Sequence, residues 1–112
     1  KFVVWGTGTP VREWIYMPDT ARIIREIVEK EMSLPNPINL GQAHGIAIVD
    51  TVHLVKDILE CDLGIEFDLT KQDGAPKKVL GNKLFRDHFP DFKFTEYREG
   101  IKNTIRYYKE LL

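Results

Sequence analysis

Apolar and polar residues follow two different periods along the chain, one typical of strands and one typical of helices. Residues 2–5 form a short apolar run, and residues 65–69 alternate between apolar and polar, which predicts two short strands. A spacing of three to four between apolar residues instead predicts four helices, over about residues 19–31, 49–60, 81–89 and 97–112.

Each predicted helix has an apolar stripe that we expect to be buried. The stripes consist of Ala21, Ile24, Ile27 and Val28 in the first helix, Val52, Val55, Ile58 and Leu59 in the second, Leu84 and Phe85 in the third, and Ile101, Ile105, Tyr108 and Leu112 in the last.

Further short extended segments are predicted at Glu13–Tyr16 and at Ile38–Leu40, and residues 46–48 are predicted to be extended or to lead into the second helix. The strands are therefore short and few, and they alternate with three to four helices. This order fits a small α/β or α+β lobe better than a full doubly wound sheet. No repeat or internal boundary divides the chain, so we expect one domain over residues 1–112.

Composition excludes several classes of protein. The net charge is −1, which gives no general attraction to nucleic acid or to an acidic membrane. No apolar run approaches the roughly 20 residues that a membrane helix needs. The single cysteine, Cys61, cannot form an internal disulfide, which indicates a reducing compartment, the cytoplasm. Because a strand is predicted from the first residues, we also expect the chain to be a piece of a longer protein.

Candidate chemistry is concentrated in residues 5–19. Gly6 and Gly8 favour a tight loop. Arg12 follows this loop, and the fixed geometry of its guanidinium N–H donors suits a phosphate or a carboxylate. Trp5 offers a flat face for a base or a sugar. These residues predict a loop that holds an anionic, ring-bearing ligand. The residues alone are also compatible with a structural turn, in which the arginine forms a salt bridge and the tryptophan fills a core. Such a structural role is the more frequent one for clusters of this composition.

A second polar segment, Thr70–Lys78, follows the second predicted strand and has a similar composition. Lys77 or Lys78 could meet a phosphate, and Asp73 could accept hydrogen bonds from sugar hydroxyls. Taken alone, the segment is also compatible with a solvated surface loop. If the two segments meet, they would form a clamp on a phosphorylated sugar.

Other kinds of site are not predicted. His44, His53, His88 and Cys61 lack the spacing of metal ligands. Asp19 fits a charge at a helix start better than a catalytic acid. The chain has no glycine-rich dinucleotide motif and no Tyr-x-x-x-Lys pair. We therefore expect neither catalytic residues nor a cofactor site in these 112 residues.

Several segments together resemble extended short-chain dehydrogenases of the NAD-dependent epimerase/dehydratase family, most closely those of the GDP-L-fucose synthase type. The resemblance covers nearly the whole chain, in order. It is carried by residues 4–16 with Asp19 and Ala21, Asn39–Gly41, Phe67–Asp68 with Lys71–Leu80, and Glu99–Ile101 with Thr104.

The resemblance implies that the chain is the C-terminal, substrate-binding lobe of an NADP-dependent nucleotide-sugar epimerase/reductase. It implies that Trp5 and Arg12 contact a GDP-sugar, with Arg12 on the pyrophosphate, and that Asp73 and Lys78 also touch the ligand. The catalytic residues and the NADP(H) site would belong to an N-terminal Rossmann domain, the partner of this lobe, and the lobe alone would be inactive. Whether the whole protein is a homodimer stays open.

Two other functions are compatible with the sequence. The chain could be the corresponding lobe of another nucleotide-sugar epimerase or dehydratase. It could instead be a small α/β module that binds a phosphate or a protein partner without any enzymatic activity.

Overall fold

The structure, a computed structural model, describes residues 1–112. Five short strands and four helices are interspersed along the chain, and the four helices lie within two residues of their predicted bounds. The strands are β1 (Phe2–Trp5), β2 (Val11–Arg12), β3 (Ile46–Ala47), β4 (Ile65–Asp68) and β5 (Lys77–Lys78). The helices are α1 (Met17–Glu29), α2 (Ile48–Leu59), α3 (Lys83–His88) and α4 (Tyr97–Leu111). None of these helices is long and apolar enough to cross a membrane.

The strands form two small sheets that bring distant segments together. In the first sheet β1 runs parallel to β4, with Phe2 opposite Ile65 and Trp5 opposite Asp68. In the second sheet β2 is central, antiparallel to β3 and parallel to β5. The loop after β1 and the loop after β4 therefore begin side by side, and each leads into a strand of the second sheet.

The hydrophobic core is small and lies between α1 and α3. Only 10 of 112 residues are buried, and Ile23, Phe85 and Phe89 form the one core cluster. Half-buried side chains surround this cluster, among them Ile27, Met32, Leu34, Phe92 and Phe94. A core of this size makes stability depend on a few side chains, because each contributes a large share of the buried apolar surface.

The predicted apolar stripes are only partly correct. On α1 the side chain of Ile23 faces the core, whereas Ile24 and Val28 are half or more exposed. Ala21 is exposed as well. The reason is that α1 also buries Asp19, and Ile23 lies one turn beyond Asp19 on the same face. Leu84, Tyr108 and Leu112 were predicted inward and are likewise exposed, whereas Phe85 is fully buried as expected.

Two predicted extended segments are wrong. Ile38–Leu40 forms no strand, because Ile38 and Leu40 pack on the core cluster instead of joining either sheet. Glu13–Tyr16 is also irregular, and the strand lies immediately before it at Val11–Arg12. Ile46–Ala47 is a two-residue strand and Ile48 begins α2, so the segment at 46–48, predicted as extended or as the lead-in to a helix, is partly each.

Asp19 joins the start of α1 to the segment before α4. Its carboxylate accepts hydrogen bonds from the backbone N–H of Thr95 (2.8 Å), from the Thr95 hydroxyl (2.8 Å) and from Arg22 (2.8 Å). Burial alone would raise the pKa of Asp19, but these hydrogen bonds outweigh it and hold the pKa below its ordinary value. Asp19 is thus a structural charge at a helix start, which agrees with the interpretation from sequence.

Replacing Asp19 with asparagine should lower the free energy of unfolding by about 2 kcal/mol at neutral pH, because charge-assisted hydrogen bonds are lost inside the protein. Since the folded pKa is depressed, this contribution is complete above about pH 4 and is lost as pH falls through the folded value. Urea unfolding of both proteins at several pH values measures the difference. A difference that stays constant down to about pH 3 would contradict the assignment.

Candidate functional site

The loops that follow β1 and β4 are joined by a direct hydrogen-bonded contact. The Asp73 carboxylate accepts hydrogen bonds from the backbone N–H of Thr7 (2.9 Å) and from the Thr7 hydroxyl (2.6 Å). These bonds to the ionised form hold the pKa of Asp73 below its ordinary value. The structure therefore brings together the two segments that sequence analysis singled out separately.

Glycine is required where the first loop meets the second. Gly6 and Gly8 both have a φ of 74°, in the left-handed region that favours glycine. A Cβ at Gly6 would also lie 2.2 Å from an oxygen of Asp73. The two glycines thus explain the tight turn and the close approach of Asp73, as the sequence predicted for a loop of this composition.

Arg12 extends from β2 to the second loop. Its Nη1 donates hydrogen bonds to the backbone carbonyl of Val11 (2.8 Å) and to that of Ala75 (2.8 Å). Its Nη2 lies so close to Gly74 that a Cβ there would come within 3.0 Å. The Nε and Nη2 groups have no hydrogen-bond partner in the protein, and together they form the edge of the guanidinium that binds an oxyanion in bidentate fashion.

One lysine pairs with this arginine across the second sheet. Lys78 lies opposite Arg12 in the parallel pairing of β2 and β5, so both belong to the same face of the sheet. Neither residue forms a salt bridge, and the same is true of Lys71 and Lys77.

Two aspartates of the same loops form no salt bridge with these cations, because their carboxylates are hydrogen-bonded to threonines. Asp68 accepts hydrogen bonds from the backbone and hydroxyl of Thr70, and Asp73 is held by Thr7. Arg12 and Lys78, which share one face of the second sheet, and Lys71, which lies against Trp5, are here called the cationic surface. Their three positive charges are not paired in salt bridges, although the chain as a whole carries a net charge of −1.

Trp5 ends β1 beside this surface and is 70% exposed. The Nζ atom of Lys71 lies 5.4 Å from the centroid of its ring, which is a cation–π distance. The core-filling alternative for Trp5 is therefore wrong. Its ring is free on the surface, where a base or sugar could lie against it.

Sequence analysis missed two residues that build the site. Thr7 supplies both bonds to Asp73, and Glu13 receives backbone N–H groups from Gln42, His44 and Leu80. In the sequence only their positions could have indicated a role, because Thr7 lies between the two glycines and Glu13 follows Arg12. For Asp73 the structure establishes a role in joining the loops, and its predicted contact with a ligand stays a prediction.

A separate cavity lies between the segment before α1 and helices α2 and α4. It has a volume of about 700 Å³ and apolar and aromatic walls, to which Trp14, Tyr16, Val55, Ile101 and Tyr108 contribute. Burial at its edge raises the pKa of Tyr97. No arginine or lysine lines this cavity, so it lacks the groups that recognise an anion, and we place the candidate site at the cationic surface instead. The structure also contains no cluster of three or more residues suited to a metal ion.

Comparison with known proteins gives a consistent result for both sequence and fold. Residues 1–41 match the NAD dependent epimerase/dehydratase family. The chain is 32% identical over 108 residues to GDP-L-fucose synthase 1 of Arabidopsis thaliana, and 29% identical over 106 residues to GDP-L-fucose synthase of Dictyostelium discoideum. These matches cover 96% and 94% of the chain, respectively.

A solved structure agrees with these relatives. The GDP-L-fucose synthetase of Naegleria fowleri, determined with NADP bound, superposes on 96% of the chain with a TM-score of 0.82 and 27% identity. The chain spans about a third of the length of each relative, 33% of the two synthases and 34% of the solved protein.

Proposed function

Because the chain belongs, by sequence and by fold, to the NAD-dependent epimerase/dehydratase family, we propose that its cationic surface binds the diphosphate of a GDP-sugar. The observation that carries the proposal is the free Nε and Nη2 edge of Arg12, held over the second loop by two backbone carbonyls. An arginine fixed in this way loses little side-chain freedom when an oxyanion binds, so more of the interaction appears as affinity.

Arg12 should contribute most of the affinity for the diphosphate. It is half-buried, and hydrogen bonds to a charged group are worth about 1.5–3 kcal/mol. Lys78 is exposed, and exposed ion pairs typically contribute only about 0–1 kcal/mol. In this proposal Lys78 and Lys71 attract the ligand, Arg12 fixes its diphosphate, and Trp5 receives the base or the sugar.

The whole protein, in this proposal, is a cytoplasmic NADP-dependent epimerase/reductase of the GDP-L-fucose synthase type. The present chain would be its substrate lobe, and a second, dinucleotide-binding domain would hold NADP(H) and the residues that transfer hydride and protons. The contribution of this lobe to the rate would be to hold the sugar nucleotide still while the other domain reacts with it.

The first test separates recognition of the diphosphate from recognition of the base. We expect GDP to bind the full-length protein, and guanosine to bind at least about 100-fold more weakly, because it lacks the oxygens that the arginine and lysines would meet. Isothermal titration calorimetry measures both affinities. Equal affinities would contradict the proposal. Phosphate-dependent binding with no preference for guanine over uracil would instead favour another nucleotide-sugar enzyme.

A further inference from the structure

We propose that Glu13 is a positioning residue for the phosphate-binding cations, acting through the backbone that holds Arg12 and Lys78 side by side. This inference rests on the proposed function, because it concerns the same surface. Glu13 follows Arg12 directly and is half-buried. It forms no salt bridge, and its carboxylate is instead hydrogen-bonded to backbone N–H groups.

The carboxylate of Glu13 is bound by backbone N–H groups from two separate segments. One oxygen accepts hydrogen bonds from Gln42 (3.0 Å) and His44 (3.3 Å), and the other accepts one from Leu80 (3.4 Å). Ala43, between the first two donors, has a φ of 56°, in the left-handed region. Successive N–H groups around such a residue converge on one point and form an anion-binding nest. Here the bound anion is the side chain of Glu13.

These contacts connect the three strands of the second sheet at one end. Residues 42–44 lead into β3, and Leu80 follows β5, whereas Glu13 itself follows β2. The backbone N–H of Glu13 also donates to the carbonyl of Lys78 (3.2 Å). A shift of the segment after β5 relative to Glu13 would therefore change the distance between Arg12 and Lys78, which are paired in the register of β2 and β5.

Gly41 shows how closely the carboxylate is enclosed. A Cβ at this position would lie 2.7 Å from an oxygen of Glu13 and 3.0 Å from Leu80. The backbone angles of Gly41 are not in the left-handed region, so alanine could adopt them. Alanine at position 41 would thus push the carboxylate away from its donors without removing its charge.

The test is a double-mutant cycle on GDP affinity, measured by calorimetry with the full-length protein. Glu13→Gln keeps the size of the side chain but loses the charge and one acceptor, and we expect it to weaken GDP binding about tenfold. In an Arg12→Ala background the same change should weaken binding less than about twofold, because of the two groups that Glu13 positions only the exposed, weakly contributing Lys78 remains. Glu110→Gln, at the exposed end of α4, is the matched control and should leave affinity unchanged.

Different results separate the inference from the proposed function. An equal loss in both backgrounds, or no loss from Glu13→Gln, would overturn the positioning role while leaving the arginine site intact. No loss from Arg12→Ala alone would overturn the proposed function itself. Should Glu13→Gln fail to fold, Gly41→Ala tests the same contact: we expect weaker GDP binding, and an affinity within about twofold of wild type would overturn the inference.

Discussion

Phe85→Ala should lower the free energy of unfolding by about 3–5 kcal/mol, the usual cost of removing a fully buried phenylalanine. Phe85 has no exposed surface, and its ring stacks on Phe89 at a centroid distance of 5.0 Å. It also contacts the rings of Phe92 (6.0 Å) and Phe94 (5.6 Å). Since small domains are stable by only about 5–15 kcal/mol, this variant should be close to unfolded at physiological temperature. Urea denaturation measures the loss.

Leu84→Ala is the control, because Leu84 precedes Phe85 on α3 and is 47% exposed. It should cost less than about 1 kcal/mol, since little apolar surface is removed from water by that side chain. Similar losses in the two variants would show that stability does not depend on the cluster of Ile23, Phe85 and Phe89. Circular dichroism at increasing temperature would compare the same two variants independently.

The four helices and the two strands of the first sheet could be predicted because they depend on local signals. The apolar period of α2 and the alternation of β4 are both visible in the sequence. The orientation of α1 could not be predicted, because Ile23 and Ile24 are equally apolar and adjacent. What selects Ile23 is the burial of Asp19 against Thr95, a contact between residues 76 positions apart.

The candidate site was likewise predictable in its functional groups but not in its long-range contacts. Arg12 and Lys78 carry functional groups that can be recognised from residue type and from the resemblance to a family. Thr7 is hydrogen-bonded to Asp73, and three backbone amides are hydrogen-bonded to Glu13. These bonds join segments far apart in sequence, and no periodic pattern of residues predicts them. The strand pairing that places Lys78 beside Arg12 was also missed, because β5 is only two residues long and both are lysine.

Arg12→Ala should weaken GDP binding by roughly 30- to 100-fold. The variant loses two free donor groups suited to the diphosphate and also the tie to Ala75 that supports the second loop. Arg12→Lys keeps a positive charge but not the planar fork, so we expect an intermediate loss of about tenfold. Arg106→Ala, on the exposed face of α4, removes the same charge away from the site and should have little effect. Titration calorimetry of the full-length proteins measures all three.

The most direct measurement for the whole account is the GDP affinity of Arg12→Ala compared with that of Arg106→Ala under the same salt conditions. The account predicts a loss of at least about thirtyfold for Arg12→Ala and less than about twofold for Arg106→Ala. An Arg12→Ala protein that is folded and binds GDP within about threefold of wild type would contradict the assignment of the cationic surface as the diphosphate site.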